Sequence, residues 1–116
     1  MATSFDVEDH LRGRDPVVAA IYEALTKAAA RLGPIKVEAK KTSIHLVRST
    51  AFAGVATRKA SLILTLKAAR DIKSPRVTKH EQTSAGRWHL EVRLESPREV
   101  DAEIKAWLKD AYELSG

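Results

Sequence analysis

Ser61-Leu62-Ile63-Leu64-Thr65-Leu66-Lys67 is the stretch whose reading decides the fold. Leu62, Leu64 and Leu66 take every second position, and Ser61, Ile63, Thr65 and Lys67 fall between them. In an extended chain, successive side chains point to opposite faces, so this spacing predicts a β-strand with one buried face. The same period runs outward in both directions. Upstream, Ile35, Val37 and Ala39 alternate with Lys36, Glu38 and Lys40, and Thr42, Ile44 and Leu46 with Ser43, His45 and Val47. Residues 51–56 read as a short strand rich in small residues. Downstream, residues 68–75 read as a loop closed by Ser74-Pro75, Val77 to Gln82 as a weaker strand, and Ser84-Ala85-Gly86 as a turn. From Arg87 to Glu95, Trp88, Leu90, Val92 and Leu94 alternate with charged residues and His89. Connections this short imply hairpins, hence an antiparallel β-meander of about five to six strands.

Helical spacing brackets the strands. Asp15 is a natural N-cap and Pro16 suits a first helical turn, where its missing N–H costs nothing. Val18, Ile21, Tyr22, Leu25, Ala28, Ala29 and Leu32 then form one apolar stripe, stopped by Gly33-Pro34. Near the end, Ser96-Pro97-Arg98-Glu99 reads as a capping box opening a helix, with Val100, Ile104, Trp107, Leu108 and Ala111 along its apolar side. Before these, Thr3 and Asp6 read as the cap of a short helix carrying Val7, His10 and Leu11, with Gly13 as its stop. The expectation is an α+β protein: one domain over residues 1–116, residues 1–14 forming a short N-terminal helix or arm. Two main helices, N- and C-terminal, pack on one face of the sheet and leave the other face open.

The chain has 116 residues, 44% apolar and 30% charged, a globular rather than disordered balance. It has no cysteine, which excludes disulfides, zinc-thiolate sites and thiol nucleophiles. No run approaches the ~20 apolar residues that span a bilayer, and the acidic first ten residues do not resemble a secretory signal. The reading is a cytoplasmic protein with no membrane role.

Several segments taken as a set resemble a bacterial family known as domain of unknown function 5655. They are Val7-Glu8-Asp9-His10-Leu11-Arg12-Gly13, Ile21-Tyr22-Glu23-Ala24-Leu25 with Leu32-Gly33-Pro34, Lys40-Lys41-Thr42-Ser43-Ile44, and Phe52-Ala53-Gly54-Val55 with Arg58-Lys59 ahead of Leu62-Ile63-Leu64. His89, residues 101–108 and Ala111-Tyr112 complete the set. The lead Arg48-Ser49-Thr50-Ala51 is more polar than the family pattern. The resemblance implies a small α+β module, alone or attached to other bacterial domains, with no established activity. More loosely, the helix–strands–helix order looks like the frataxin-type arrangement, a likeness of fold alone.

Charge is distributed unevenly. Between Lys36 and Lys79 stand eleven basic residues against Glu38 and Asp71, or +9, while the rest of the chain is −4. A basic sheet attracts phosphates, yet single-strand binders interleave aromatics for stacking, and Phe52 is the one aromatic in this segment. Lys40, Lys41, Arg58 and Lys59, with His89, form the candidate site for a small carboxylate or phosphate. His45 and His89 share the open face and reach one metal only if their strands are neighbours; no metal motif supports this, so no metal or cofactor is expected. No serine sits in a nucleophile elbow, so no catalytic residue is assigned and an enzyme is not expected. Val47 and Ile63, with His45 and Thr65, are the candidate interface residues. The first reading is a non-catalytic protein-interaction or accessory module that binds a protein partner or its own copy. The alternative is a basic module for nucleic acid or a small anion.

Overall fold

The computed structural model describes residues 6–116. Two helices, α1 (Val7–Leu11) and α2 (Pro16–Ala30), precede six strands: β1 (Lys36–Ala39), β2 (Ile44–Val47), β3 (Ala51–Thr57), β4 (Leu62–Ala68), β5 (Val77–Ser84) and β6 (Arg87–Leu94). A 3₁₀ turn (Pro97–Glu99) and helix α3 (Ala102–Leu114) follow. All strand pairs are antiparallel, in the order β1-β2-β3-β4-β6-β5.

The chain meanders through β4 and then departs from the simple expectation. The β4–β5 connection passes over one position, and β6 returns to fill it. Burial explains the exchange. β6 buries Leu90, Val92 and Leu94, whereas β5 buries Val77 alone among its eight residues. The apolar strand takes the slot with two neighbours, and the polar one takes the edge. Each edge strand is distinctive: β1 has four residues, and β5 slips register at Val77/Lys79 and Gln82/Ser84.

One face of the sheet is the core. Ile44, Leu46, Ala53, Val55, Leu62, Leu64, Leu66, Leu90, Val92 and Leu94 form an apolar cluster with Ile21 and Leu25 of α2 and Ile104 and Leu108 of α3. Each fully buried Leu or Ile contributes about 1.5–3 kcal/mol. A bulge at Leu46/Val47 turns Phe52 inward as well, where it meets Tyr112 edge-to-face at 5.4 Å. Tyr112 in turn donates from its hydroxyl to the Pro34 carbonyl at 3.1 Å and lies under the Arg48 guanidinium, 4.2 Å from the ring centre.

Helix α2 starts as expected, Asp15 accepting from the Val17 N–H. Two caps fall elsewhere than the sequence pattern predicts. Thr3 lies outside the described residues; Asp6 precedes α1, and its N–H donates to the Asp9 carboxylate at 3.0 Å. Ser96 and Glu99 do form a box, Glu99 accepting from the N–H groups of Glu95 and Ser96 at 2.6 and 2.9 Å. It closes only the 3₁₀ turn, however. Val100, at φ −81° and ψ 69°, interrupts the helical path, and α3 begins afresh with Asp101 accepting from the Ile104 N–H. Arg76, at the entry to β5, fastens this start: it donates to Asp101 at 3.0 Å, to Glu103 at 3.1 Å and to the Glu99 carbonyl at 2.7 Å.

Candidate functional site

The face opposite the helices is set by strand register. One row across it reads Glu38, His45, Gly54, Thr65, Glu91, Lys79, each residue paired with the next. Alongside it, Ala56 pairs with Ile63 and Ile63 with Arg93, while Lys67 pairs with His89 and His89 with Glu81. The strand in the middle contributes only small side chains here, Gly54 and Ala56. Its neighbours stand above it, so a depression of ≈ 230 Å³ runs along β3. Ser43 and His45 rise on one side, Thr65 and Lys67 on the other, with His89 beyond.

Lys67 is the cation of this depression. Its ammonium donates to Thr50 Oγ1 at 3.0 Å and takes part in none of the ion pairs among the described residues. Partial burial, and then repulsion from Arg87, hold its pKa below the ordinary lysine value. The nearest carboxylate in the register, Glu91, faces Lys79 at 3.9 Å. A bound anion would relieve the strain on the Lys67 charge, with hydroxyls and imidazoles as further donors.

The candidate anion residues separate into two places. Lys40 and Lys41 in the β1–β2 turn, and Arg58 and Lys59 in the β3–β4 turn, come to the same end of the sheet, because Ile44 pairs with Val55 and Thr57 with Leu62. All four are exposed. Their backbone is held from behind: His10 Nε2 donates to the Lys40 carbonyl at 2.6 Å, the Asp15 N–H to the Lys59 carbonyl at 2.7 Å, and Thr57 Oγ1 to the His10 carbonyl at 2.6 Å. Lys40 also pairs with Glu38 at 3.3 Å. His89 does not join them. It pairs with Lys67, five residues along the strand from the turn end at Leu62, or about 17 Å away. His89 lines the depression; the four turn cations do not.

Strand order leaves one condition unmet and corrects one expectation. β2 and β6 are separated by β3 and β4, so His45 and His89 stand at least about 14 Å apart across the sheet and cannot share a metal. Among the described residues no group of three His, Cys, Asp or Glu side chains is placed to hold one. Val47 and Ile63 are not on neighbouring strands either. Val47 pairs with Ala51 at one end of β3 and Ile63 with Ala56 near the other. Both are only half-exposed, so together with His45 and Thr65 they do not form a continuous apolar patch. The open face is a polar-walled hollow instead. The small-residue run of β3 was the signal for it, read in sequence only as a short strand.

The basic residues of the sheet segment are likewise dispersed. Four lie at one end; Lys67, Arg70 and Lys73 lie toward the other; Arg76 and Lys79 face carboxylates. Phe52 is fully buried, so it offers no stacking surface. Among the described residues, no helix is long and apolar enough to cross a membrane.

Comparison with known proteins adds one match. The family model described as "Domain of unknown function (DUF5655)" matches residues 7–115. No curated protein and no solved structure matches the chain.

Proposed function

The chain belongs to the DUF5655 family, and from that premise we propose that it is a non-catalytic binding module that holds a small anion, a carboxylate or phosphate, on its open sheet face. The observation that carries this reading is the depression over Gly54 and Ala56, lined by Thr65, His45, Ser43 and Lys67, whose ammonium has no carboxylate partner among the described residues. Its volume, ≈ 230 Å³, suits a ligand of a few heavy atoms, below the several hundred Å³ of drug-sized sites. Binding without turnover fits the histidines. Among the described residues neither His45 nor His89 lies in an ion pair with a carboxylate, and a base in acyl transfer is normally oriented by one. We assign the module to the cytoplasm, in keeping with its cysteine-free, highly charged sequence.

The test is titration of ¹⁵N-labelled protein with inorganic phosphate, acetate and succinate, followed by amide shifts. The expected result is saturable shifts confined to residues 43–45, 54–56, 65–67 and 89, weakened at least tenfold by Lys67→Met. Shifts that do not saturate, or that map to the turns at 40–41 and 58–59, reject the site. Preferential binding of an oligonucleotide over these small anions favours the nucleic-acid alternative.

A further inference from the structure

The helical side of the molecule carries a second surface, independent of the open face. Between α2 and α3 lies a groove of ≈ 850 Å³. Helical spacing builds its two walls. Ala24, Lys27, Ala28 and Arg31 recur at three- and four-residue intervals on one side of α2, and Ala102, Lys105, Ala106 and Lys109 do the same on α3. Half-buried Ala24, Ala28 and Leu32, with buried Val100, make a shallow apolar floor, while Ala102 and Ala106 line it from exposed positions. The long side chains stand at the rims.

Charge on these rims is of one sign. Lys27 and Arg31 edge one side and Lys105 and Lys109 the other, and no acidic residue lines the groove. None of the four forms an ion pair among the described residues. The acids nearest in sequence lie outside it: Glu23 sits one turn before Lys27, Asp101 and Glu103 are taken by Arg76, and Asp110 and Glu113 belong to the side of α3 that carries Trp107. An apolar floor between two cationic rims is complementary to one kind of occupant, an amphipathic helix with an apolar stripe and carboxylates on both flanks.

We propose that the α2–α3 groove docks a short acidic amphipathic helix of a partner protein. Residues 102–109 extend for about 12 Å, so the groove seats roughly two helical turns, with apolar anchors at i, i+3 or i+4, and i+7. Alanines on the floor permit close approach of the partner backbone, and the rim cations require acids on both sides of its stripe. This specificity separates the groove from a merely basic surface, which takes any polyanion.

The test uses a designed fluorescent helix of fourteen residues, leucine and alanine along one stripe and glutamate on both flanks, against a scrambled peptide of the same composition. Fluorescence anisotropy with the full chain is expected to show the amphipathic peptide binding at least tenfold tighter than the scrambled one, and more weakly as salt rises. Lys105→Glu with Lys109→Glu is expected to weaken it at least tenfold. Ala106→Trp, at an exposed position lining the groove, obstructs it without touching the core and should weaken the binding, and circular dichroism confirms that each variant is folded. Equal affinity for the two peptides, or full affinity in the Lys105/Lys109 variant, overturns the proposal. So does tighter binding of anionic vesicles or duplex DNA than of the designed helix. Lys67→Met leaves this binding unchanged, so the two sites fail or stand separately.

Discussion

Gly54 links the packing of the sheet to the proposed ligand in one residue, and replacing it tests both. Its φ lies outside the left-handed region, so an L side chain meets no backbone strain there. A Cβ built at this position stands 3.8 Å from Thr65 Cβ and 3.9 Å from His45 Cδ2, ordinary van der Waals contact. Gly54→Ala therefore adds a methyl group into the floor of the depression with no displacement of its walls. Replacing glycine where the new residue fits narrows the unfolded ensemble and stabilises by about 0.4–1 kcal/mol. For a chain of this length that raises the melting temperature by about 2–5 °C. The same methyl group occupies space the anion would use. Stability and binding should thus move in opposite directions: urea unfolding shows a higher midpoint with an unchanged slope, while phosphate affinity falls, and falls further in Gly54→Val. A lower urea midpoint for Gly54→Ala would refute the packing argument. Unchanged anion affinity in Gly54→Val would refute the placement of the ligand over β3.

Four further substitutions probe the scaffold. At Gly33, φ is +150° and an added Cβ collides with the Tyr112 hydroxyl; Gly33→Ala should cost at least about 1 kcal/mol, and Tyr112→Phe should restore part of that loss in a double-mutant cycle read by urea unfolding. His10→Ala leaves the Lys40 carbonyl without its donor and should destabilise by about 1–2 kcal/mol, with faster amide exchange in the β1–β2 turn. Arg76→Ala should cost about 1–2 kcal/mol, a figure reduced for solvent screening of its partners, and should also alter acid stability. The Arg76 hydrogen bond holds the Asp101 carboxyl below its ordinary value of 3.8. Its contribution is complete above that value and is lost as pH falls through the lower folded-state pKa. Thermal melts at descending pH should therefore fall less steeply on the acid side in Arg76→Ala than in the parent.

Alternation was enough to identify the sheet, its buried face and the two helical stripes, because Leu62, Leu64, Leu66, Leu90, Val92 and Leu94 repeat a period that no helix accommodates. It said less about which strands are neighbours. Short connections favour adjacent hairpins, and only the polarity of β5, with Val77 as its single buried residue, hinted that β6 would lie inside it. β3 and β4 stand between β2 and β6 in any case, which keeps His45 from His89, and the position of His89 opposite Lys67 keeps it at the far end of the sheet from the turn lysines. The start of α3 was obscured by two capping patterns close together, Ser96 with Glu99 and Asp101 with the Ile104 N–H; backbone dihedrals at Val100 decide between them. The depression and the groove were invisible for a related reason. Each arises from small residues that matter only through what stands beside them, Gly54 and Ala56 between two taller strands, and Ala24 and Ala28 in the groove beside α3.

The two borders of the sheet bear on how the protein behaves at high concentration. An unpaired strand edge is a template for recruiting another chain. Here neither border is a good template. β1 offers only four residues, and its Val37, 43% exposed and the one large apolar side chain so exposed among the described residues, stands between Lys36 and Glu38. β5 is longer, but its two register slips break the regular ladder of donors and acceptors, and Lys79, His80 and Glu81 interrupt any apolar run. Growth of a continuous intermolecular sheet, the route to fibres, is opposed at each end, and contacts between copies are left to the faces.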